Sequence, residues 1–298
     1  MAGHFQYGVV GVTAAPALFC GPLPLASIPI MKIRQFLLFA SLLSAAAFAQ
    51  EAKPLKVMLI TGGCCHDYKT QTNLLKKGLE ERINVTVDQI HVDDGSTRPA
   101  LPIYGNPDYA AGYDVVIHDE CAADVKDVET VKGVLKPHLD GIPVVALHCA
   151  MHSYRVGEIH KPATKEDDKL WFDLLGLQSS GHGPQQPIDI KFTDPAHPVT
   201  KGMKDWTTIN EELYNNVHVH EGAKVLATGK QGKQEAVVVW TNLYGPKKTR
   251  VFATTIGHNN ATVEDARYLD LVAKGLLWSA GKLGDDGRPL AGYGRPKK

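Results

Sequence analysis

The chain has 298 residues, 44% of them hydrophobic and 21% charged, with 32 basic side chains set against 32 acidic ones. That composition supplies a substantial core and carries no low-complexity bias. The balanced charge argues against a polyanion partner, so neither nucleic acid nor an anionic membrane surface is expected to bind.

Residues 1–30 read as an upstream mis-start, with Met31 as the true start. Met31-Lys32-Ile33-Arg34 is a basic n-region, Phe36 to Phe48 is apolar, and Ala47-Phe48-Ala49 has the small-x-small spacing of a signal-peptidase site. The apolar run is shorter than the ~20 residues that a spanning helix needs. A signal peptide over 31–49 and an exported, periplasmic or secreted protein are therefore predicted, with a retained N-terminal anchor as the competing reading. Cleavage removes Lys32 and Arg34 and no acid, which leaves 30 basic and 32 acidic residues and a net charge of −2.

From Lys56 onward, strands and helices alternate. Val57-Met58-Leu59-Ile60-Thr61 is a continuous apolar run that ends in Gly62-Gly63, the pattern of a buried parallel strand. A helix is predicted over 70–82, and a second strand begins at Val85-Thr86-Val87. A Gly/Pro-rich loop runs from Gly95 to Gly112. Residues 114–118 form a third strand and 124–138 a helix. Pro143-Val144-Val145-Ala146-Leu147 forms a fourth strand that opens at once into another helix.

The second half changes character. After a helix over 166–175, strands are predicted at 186–192, 223–228, 235–243 and 250–255, alternating enough to suit an antiparallel extension. A final amphipathic helix covers 262–279, with Leu269, Val272, Leu276 and Leu277 on one face. The tail 284–298 is rich in Gly, Pro and basic residues and reads as flexible. The whole implies one α/β domain over 55–281, a three-layer α/β/α sandwich with a mostly parallel sheet and an antiparallel extension.

In open α/β sheets, ligands bind beyond the carboxyl ends of the strands. The first strand delivers Cys64, Cys65, His66, Asp67 and Tyr68 there. The third delivers His118, Asp119, Glu120 and Cys121, the fourth His148, Cys149 and His152, and the strand at 250–255 delivers His258, Asn259 and Asn260. Four separate strands thus bring histidines or acids to one edge. Each has a plainer reading as well. His66 suits a solvated loop, Asp119 or Glu120 a helix cap, His148 or His258 a hydrogen-bonded core position, and His152 helix packing.

Four segments resemble the trehalose-utilisation (ThuA-like) family. They are the first strand with Gly62, Gly63 and His66; the elbow Leu147-His148-Cys149-Ala150; Glu211-Glu212-Leu213-Tyr214; and Thr254-Thr255-Ile256-Gly257-His258. The third usually reads Asp-Glu-Leu-Tyr in that family, so Glu211 is a departure. The loop His197-Pro198-Val199-Thr200-Lys201-Gly202 and the closing Leu277-Trp278-Ser279-Ala280-Gly281 are also similar. The resemblance spans nearly all of 55–281 and implies a class I glutamine amidotransferase-like (flavodoxin-like) fold. Aligned on that fold, His148 rather than Cys149 stands at the nucleophile position, and His258 stands where those enzymes carry their histidine. Thiolate chemistry needs cysteine on the elbow itself, so a glutaminase is not expected.

The resemblance further implies a small-molecule carbohydrate substrate, trehalose or a 3-keto derivative. On this reading His148 and His258 are an acid/base pair oriented by Glu212, with His66 beside them. Asp67, Tyr214, Asn259 and Glu120 are the expected substrate contacts. Isomerisation or elimination next to the keto group would follow.

Three alternatives stay open. A divalent metal, as for a metal-dependent hydrolase, could sit on His66, His148 and His258 with Glu120 or Glu212, although no i,i+4 pair supports it. A non-catalytic glycan-binding protein could stack sugars on Trp206, Trp240 or Tyr244. Cys64 or Cys65, Cys121 and Cys149 permit one disulfide bracing the cleft floor, or a reactive Cys149 thiol.

Overall fold

The computed structural model describes residues 52–295; the mis-start and signal-peptide readings lie outside them. In chain order the elements are β1 (Leu55–Gly63), α1 (Tyr68–Glu80), β2 (Val85–Val92), β3 (Val115–Cys121), α2 (Val128–Leu139) and β4 (Val144–Leu147). A single 3-10 turn (His148–His152) follows, then α3 (Glu166–Leu175), β5 (Leu177–Gln178), β6 (Gln186–Phe192), β7 (Trp206–Glu211) and β8 (His218–Val219). The last elements are β9 (Lys224–Gln231), β10 (Gln234–Tyr244), β11 (Thr249–Thr254), α4 (Asn260–Glu264) and α5 (Ala266–Ser279). Among the described residues, no helix is long and apolar enough to cross a membrane.

Nine strands form one sheet in the order β2-β1-β3-β4-β11-β10-β9-β6-β7. The first five run parallel, and β10, β9, β6 and β7 extend the sheet antiparallel. The order 2-1-3-4 is that of the doubly wound flavodoxin-like class. Alternating residues of each parallel strand serve two cores. Val57, Leu59, Val115, Ile117, Val145, Leu147 and Phe252 face α1 and α5 through Leu75, Leu79, Val272 and Leu276. Met58, Ile60, Val116, Val144, Ala146, Val251 and Ala253 face α2 and α3 through Val131, Val134, Leu135 and Trp171. Fully burying each such side chain stabilises the fold by about 1.5–3 kcal/mol. The result is the α/β/α sandwich expected from the sequence.

Four local readings change. After β4 the chain makes one 3-10 turn rather than a helix. The helix expected over 124–138 starts only at Val128, where the Asp127 side chain accepts from the Thr130 amide at 2.8 Å. The helix expected over 262–279 is two helices, broken at Asp265, whose side chain caps α5 at Arg267. The tail is not free from 284. Leu283 bridges Pro289, the Leu290 amide donates to the Lys282 carbonyl at 2.8 Å, and the Asn84 amide donates to the Tyr293 carbonyl. Strand β7 was not anticipated at all.

Candidate active site

The carboxyl ends of β1, β4 and β11 converge with the end of β7. At β1, Gly63 takes φ +101, and a Cβ there would stand 2.2 Å from the Cys121 carbonyl oxygen, so the strand can turn this close to β3 only with glycine. The turn carries Cys64, Cys65 and His66 over the edge. At β4 the elbow residue is His148 itself, held at φ +35. A left-handed backbone on a non-glycine residue costs on the order of 1–3 kcal/mol, and it thrusts the side chain out of the sheet. After β11, Gly257 at φ +132 lets the chain pass the Tyr268 hydroxyl and present His258.

His66, His148, Glu212 and His258 meet, with one ligand-type atom from each lying within 4.8 Å of all the others. The His66 Nε2 is 2.9 Å from the His148 Nε2 and 3.0 Å from the His258 Nδ1. Glu212 places Oε2 3.6 Å from the His148 Nε2 and Oε1 3.3 Å from the His258 Nδ1. The His148 Nδ1–H donates to the Thr255 carbonyl at 2.6 Å, which leaves its Nε2 facing the cluster. A cavity of about 510 Å³ opens over His66 and His258, lined also by Cys65, Asp67, Asn259, Asn260 and Ala261.

The electrostatics follow from this crowding. Burial first, and then the neighbouring His148 and His258 imidazoles, press the His66 pKa down to about 2, so His66 is neutral. Burial would raise the Glu212 pKa, but hydrogen bonds and charge from His148 and His258 outweigh it and hold the carboxylate ionised. The hydrogen bond to Glu212 raises the His258 pKa.

The expected substrate contacts divide. Asp67 lines the cavity but is already occupied, accepting from the Thr70 amide at the start of α1 and from the Asn260 side chain. Asn259 also lines the cavity, with its amide donating to the Asn210 carbonyl of β7. Tyr214 is buried, its hydroxyl 3.3 Å from the His148 Nε2 and its ring stacked on His152 at 4.1 Å. Burial pushes the Tyr214 pKa up, so the hydroxyl stays protonated.

Glu120 is a correction. Its carboxylate lies on the opposite face of β3, fully buried, 2.7 Å from the His118 Nδ1 and accepting from the Tyr154 hydroxyl at 2.7 Å. His118 in turn contacts His138, a structural network beneath α2. Glu120 therefore reaches neither a substrate nor a metal at the histidine cluster, and Glu212 is the carboxylate there.

The aromatic candidates also fall away from the cluster. Trp240 is buried and donates to the Leu175 carbonyl, Tyr244 packs in the core beside α2 and α3, and Trp206 lies under the Arg267 guanidinium. The disulfide joins neighbours, Cys64 to Cys65, and so ties no strands together. Cys121 and Cys149 are free and buried. The hydrogen bond with Cys121, followed by burial, raises the Cys149 pKa, which leaves an inert thiol rather than a reactive one.

Two residues escaped sequence reasoning. Gln185, just before β6, places its amide nitrogen 2.8 Å from the His258 Nε2 and 3.2 Å from the Glu212 Oε1. Glu211, noticed only as a departure from aspartate, is fully buried and accepts from the amides of Gly257, His258 and Asn259 at 3.4, 2.9 and 3.0 Å. It clamps the turn that presents His258.

Fold and cluster together define a doubly wound α/β protein with imidazole on the elbow after β4. Residues 56–279 match the family model for trehalose utilisation (ThuA), and the chain belongs to that family. Among solved structures it resembles a ThuA-like protein from Parabacteroides merdae, with TM-score 0.59 and 22% identity over 82% of this chain and 98% of that one. A β-galactosidase from Rahnella sp. R3 matches at TM-score 0.44 and 16% identity, over 75% of this chain and 31% of that one. A glutamine amidotransferase from Thermotoga maritima matches at 0.40 and 11%, over 78% and 98%. Both of these stand too low to bear on what this chain does. Comparison with curated protein sequences finds no match.

Proposed function

We propose that this chain is an exported enzyme of carbohydrate utilisation that moves a proton on an oxidised sugar, a 3-keto glycoside of the trehalose type. The observation that carries the reading is Glu212, an ionised carboxylate set between two imidazoles, one of which, His258, lines an open, polar cavity. A keto group at C3 acidifies the C2–H bond. Glu212 takes that proton, and the electron pair moves onto the keto oxygen, where the protonated Tyr214 hydroxyl beside the cluster supplies the hydrogen bond to the developing charge. Returning the proton to C3, with the O2 hydroxyl proton passing to O3, isomerises the sugar to its 2-keto form. Expelling the C1 oxygen, with the proton passed from Glu212 to the departing alkoxide, eliminates the glycosidic group.

The roles expected from the sequence thereby change, with Glu212 carrying the proton and His66, His148 and His258 positioned around it. The His148 Nδ1–H bond to the Thr255 carbonyl fixes that ring and its tautomer, with Nε2 turned to the cluster.

The test is NMR in deuterated buffer, with trehalose and its 3-keto derivative as substrates. Exchange at C2 or release of glucose, both abolished by Glu212→Gln, is the expected result. Saturable binding of the keto sugar without any exchange at C2 would replace the enzyme with a glycan-binding protein.

A further inference from the structure

We infer that His66, His148, His258 and Glu212 form a binding site for a single divalent transition-metal ion. For its use on a sugar this rests on the reading above; for the ion itself it rests on geometry alone. Ligand atoms about 2.1 Å from a common ion stand about 3.0 Å apart at right angles and about 3.4 Å apart at the tetrahedral angle. The cluster shows 2.9 and 3.0 Å between ring nitrogens and 3.3 and 3.6 Å from nitrogen to carboxylate oxygen. Three imidazoles and a carboxylate therefore crowd their donor atoms within 4.8 Å of one another, with four of the contacts close to the spacing that a shared ion sets.

Proton accounting points the same way. With the His148 Nδ1–H on the Thr255 carbonyl, the other ring nitrogen, Nε2, is the one turned to the centre of the cluster. The His66 Nε2 lies against two ring nitrogens at once, and a single N–H can be directed at only one of them. A cation at the centre satisfies these nitrogens together.

The rings also meet edge-on rather than face to face. The interplanar angles are 89° for His66 with His148, 73° for His66 with His258 and 71° for His148 with His258. Stacking would bring faces together, whereas ligation brings nitrogens together. The Thr255 carbonyl on His148 is the kind of outer contact that fixes the tautomer of a metal-bound histidine.

Three imidazoles and one carboxylate suit zinc, manganese, iron, cobalt or nickel rather than calcium or magnesium. Held there, the ion would act as a Lewis acid beside the keto oxygen. Glu212 offers two oxygens, so one can remain a ligand while the other accepts the proton.

The experiment is removal of metal from the untagged protein by chelation, followed by titration with Zn²⁺ in a calorimeter and with Co²⁺ by absorption. Expected are one ion per chain and visible cobalt bands with no thiolate charge-transfer band, since Cys121, the free thiol beside the Cys64–Cys65 disulfide, is the competing sulfur donor. His148→Gln should weaken Zn²⁺ by more than the roughly 10–100-fold that loss of an outer-shell contact causes. His66→Gln, a change in the loop rather than the core, gives the same reading should the His148 variant fold poorly. No stoichiometric binding of either ion, unchanged affinity in His66→Gln, or a thiolate band would overturn the site. Metal-free protein that still exchanges the C2 proton would remove the ion from the chemistry and leave the sugar reading standing. Bound ion without sugar turnover would do the reverse.

Discussion

Glu211 is where a single buried carboxylate decides whether the centre exists. Its oxygens accept from the His258 and Asn259 amides at 2.9 and 3.0 Å, with Gly257 further off at 3.4 Å. Hydrogen bonds to a charged group contribute about 1.5–3 kcal/mol each, and the amides left behind are costly to bury unpaired. Counting only the two short bonds, Glu211→Ala should cost about 4 kcal/mol. For a domain of this size that lowers Tm by roughly 8–16 °C. Glu211→Gln keeps the volume and one accepting oxygen, so about half that loss is expected. Urea unfolding followed by circular dichroism measures both, and Zn²⁺ affinity reports whether His258 is still presented. An Ala variant within about 1 kcal/mol of wild type would show that the 257–259 turn holds itself, and the clamp argument would fail.

Three further outcomes follow from other sites. His138 is fully buried, and burial followed by the charge of His118 lowers its pKa to about 3. Its folded pKa lies below the ordinary 6.5, so its stability contribution is complete above 6.5 and is lost as pH falls toward 3. The groups facing it are His118, itself paired with Glu120, and the Tyr109 hydroxyl. Between pH 6.5 and 4.5 the loss from this residue is about 2 kcal/mol, so His138→Gln should flatten the pH dependence of urea unfolding by that amount. An unchanged slope would contradict the assignment. Glu120→Gln should cost about 1.5–3 kcal/mol in stability by weakening the contacts to His118 and Tyr154. It should leave sugar turnover and Zn²⁺ affinity intact, and loss of either in a folded variant would return Glu120 to the site. Cys149 should resist iodoacetamide in the native protein and react only in denaturant, as peptide mass mapping would show; rapid native labelling would contradict its raised pKa.

How much of this was legible in the sequence depended on which half of the sheet was being read. Parallel strands buried on both faces are continuous apolar runs, so the ends of β1, β3 and β4 stand out, and the polar residues just beyond them name themselves. That is how His66 and His148 were found, with His258 located by the same edge argument and Glu212 by family resemblance. The continuous run also hides which face each residue takes. His118 and Glu120 share one face of β3 and Asp119 takes the other, a period-two fact that an all-apolar strand does not disclose. Placing Glu120 at the edge but not on a face produced the one misassigned carboxylate.

The antiparallel half hid more. Strand β7 begins Trp-Thr-Thr-Ile-Asn-Glu, where only Trp206, Thr208 and Glu211 are buried and the large apolar Ile209 is exposed, so hydropathy gives little warning of it. Without that strand there was no reason to see Glu211 as a clamp. Gln185 sits in Gly181-His182-Gly183-Pro184-Gln185, a loop with no period, and its contacts to Glu212 and His258 lie 27 and 73 residues away. The metal reading was weak in the sequence for the same reason. The three histidines come from the ends of β1, β4 and β11, which sheet order sets close together with no local spacing to recognise, while Glu212 follows β7, at the far edge of the sheet. For the three histidines, strand order therefore does what i,i+4 spacing does for a helical site. A substitution that shifts the register of β11 against β4 should disperse the cluster without touching any of its four residues.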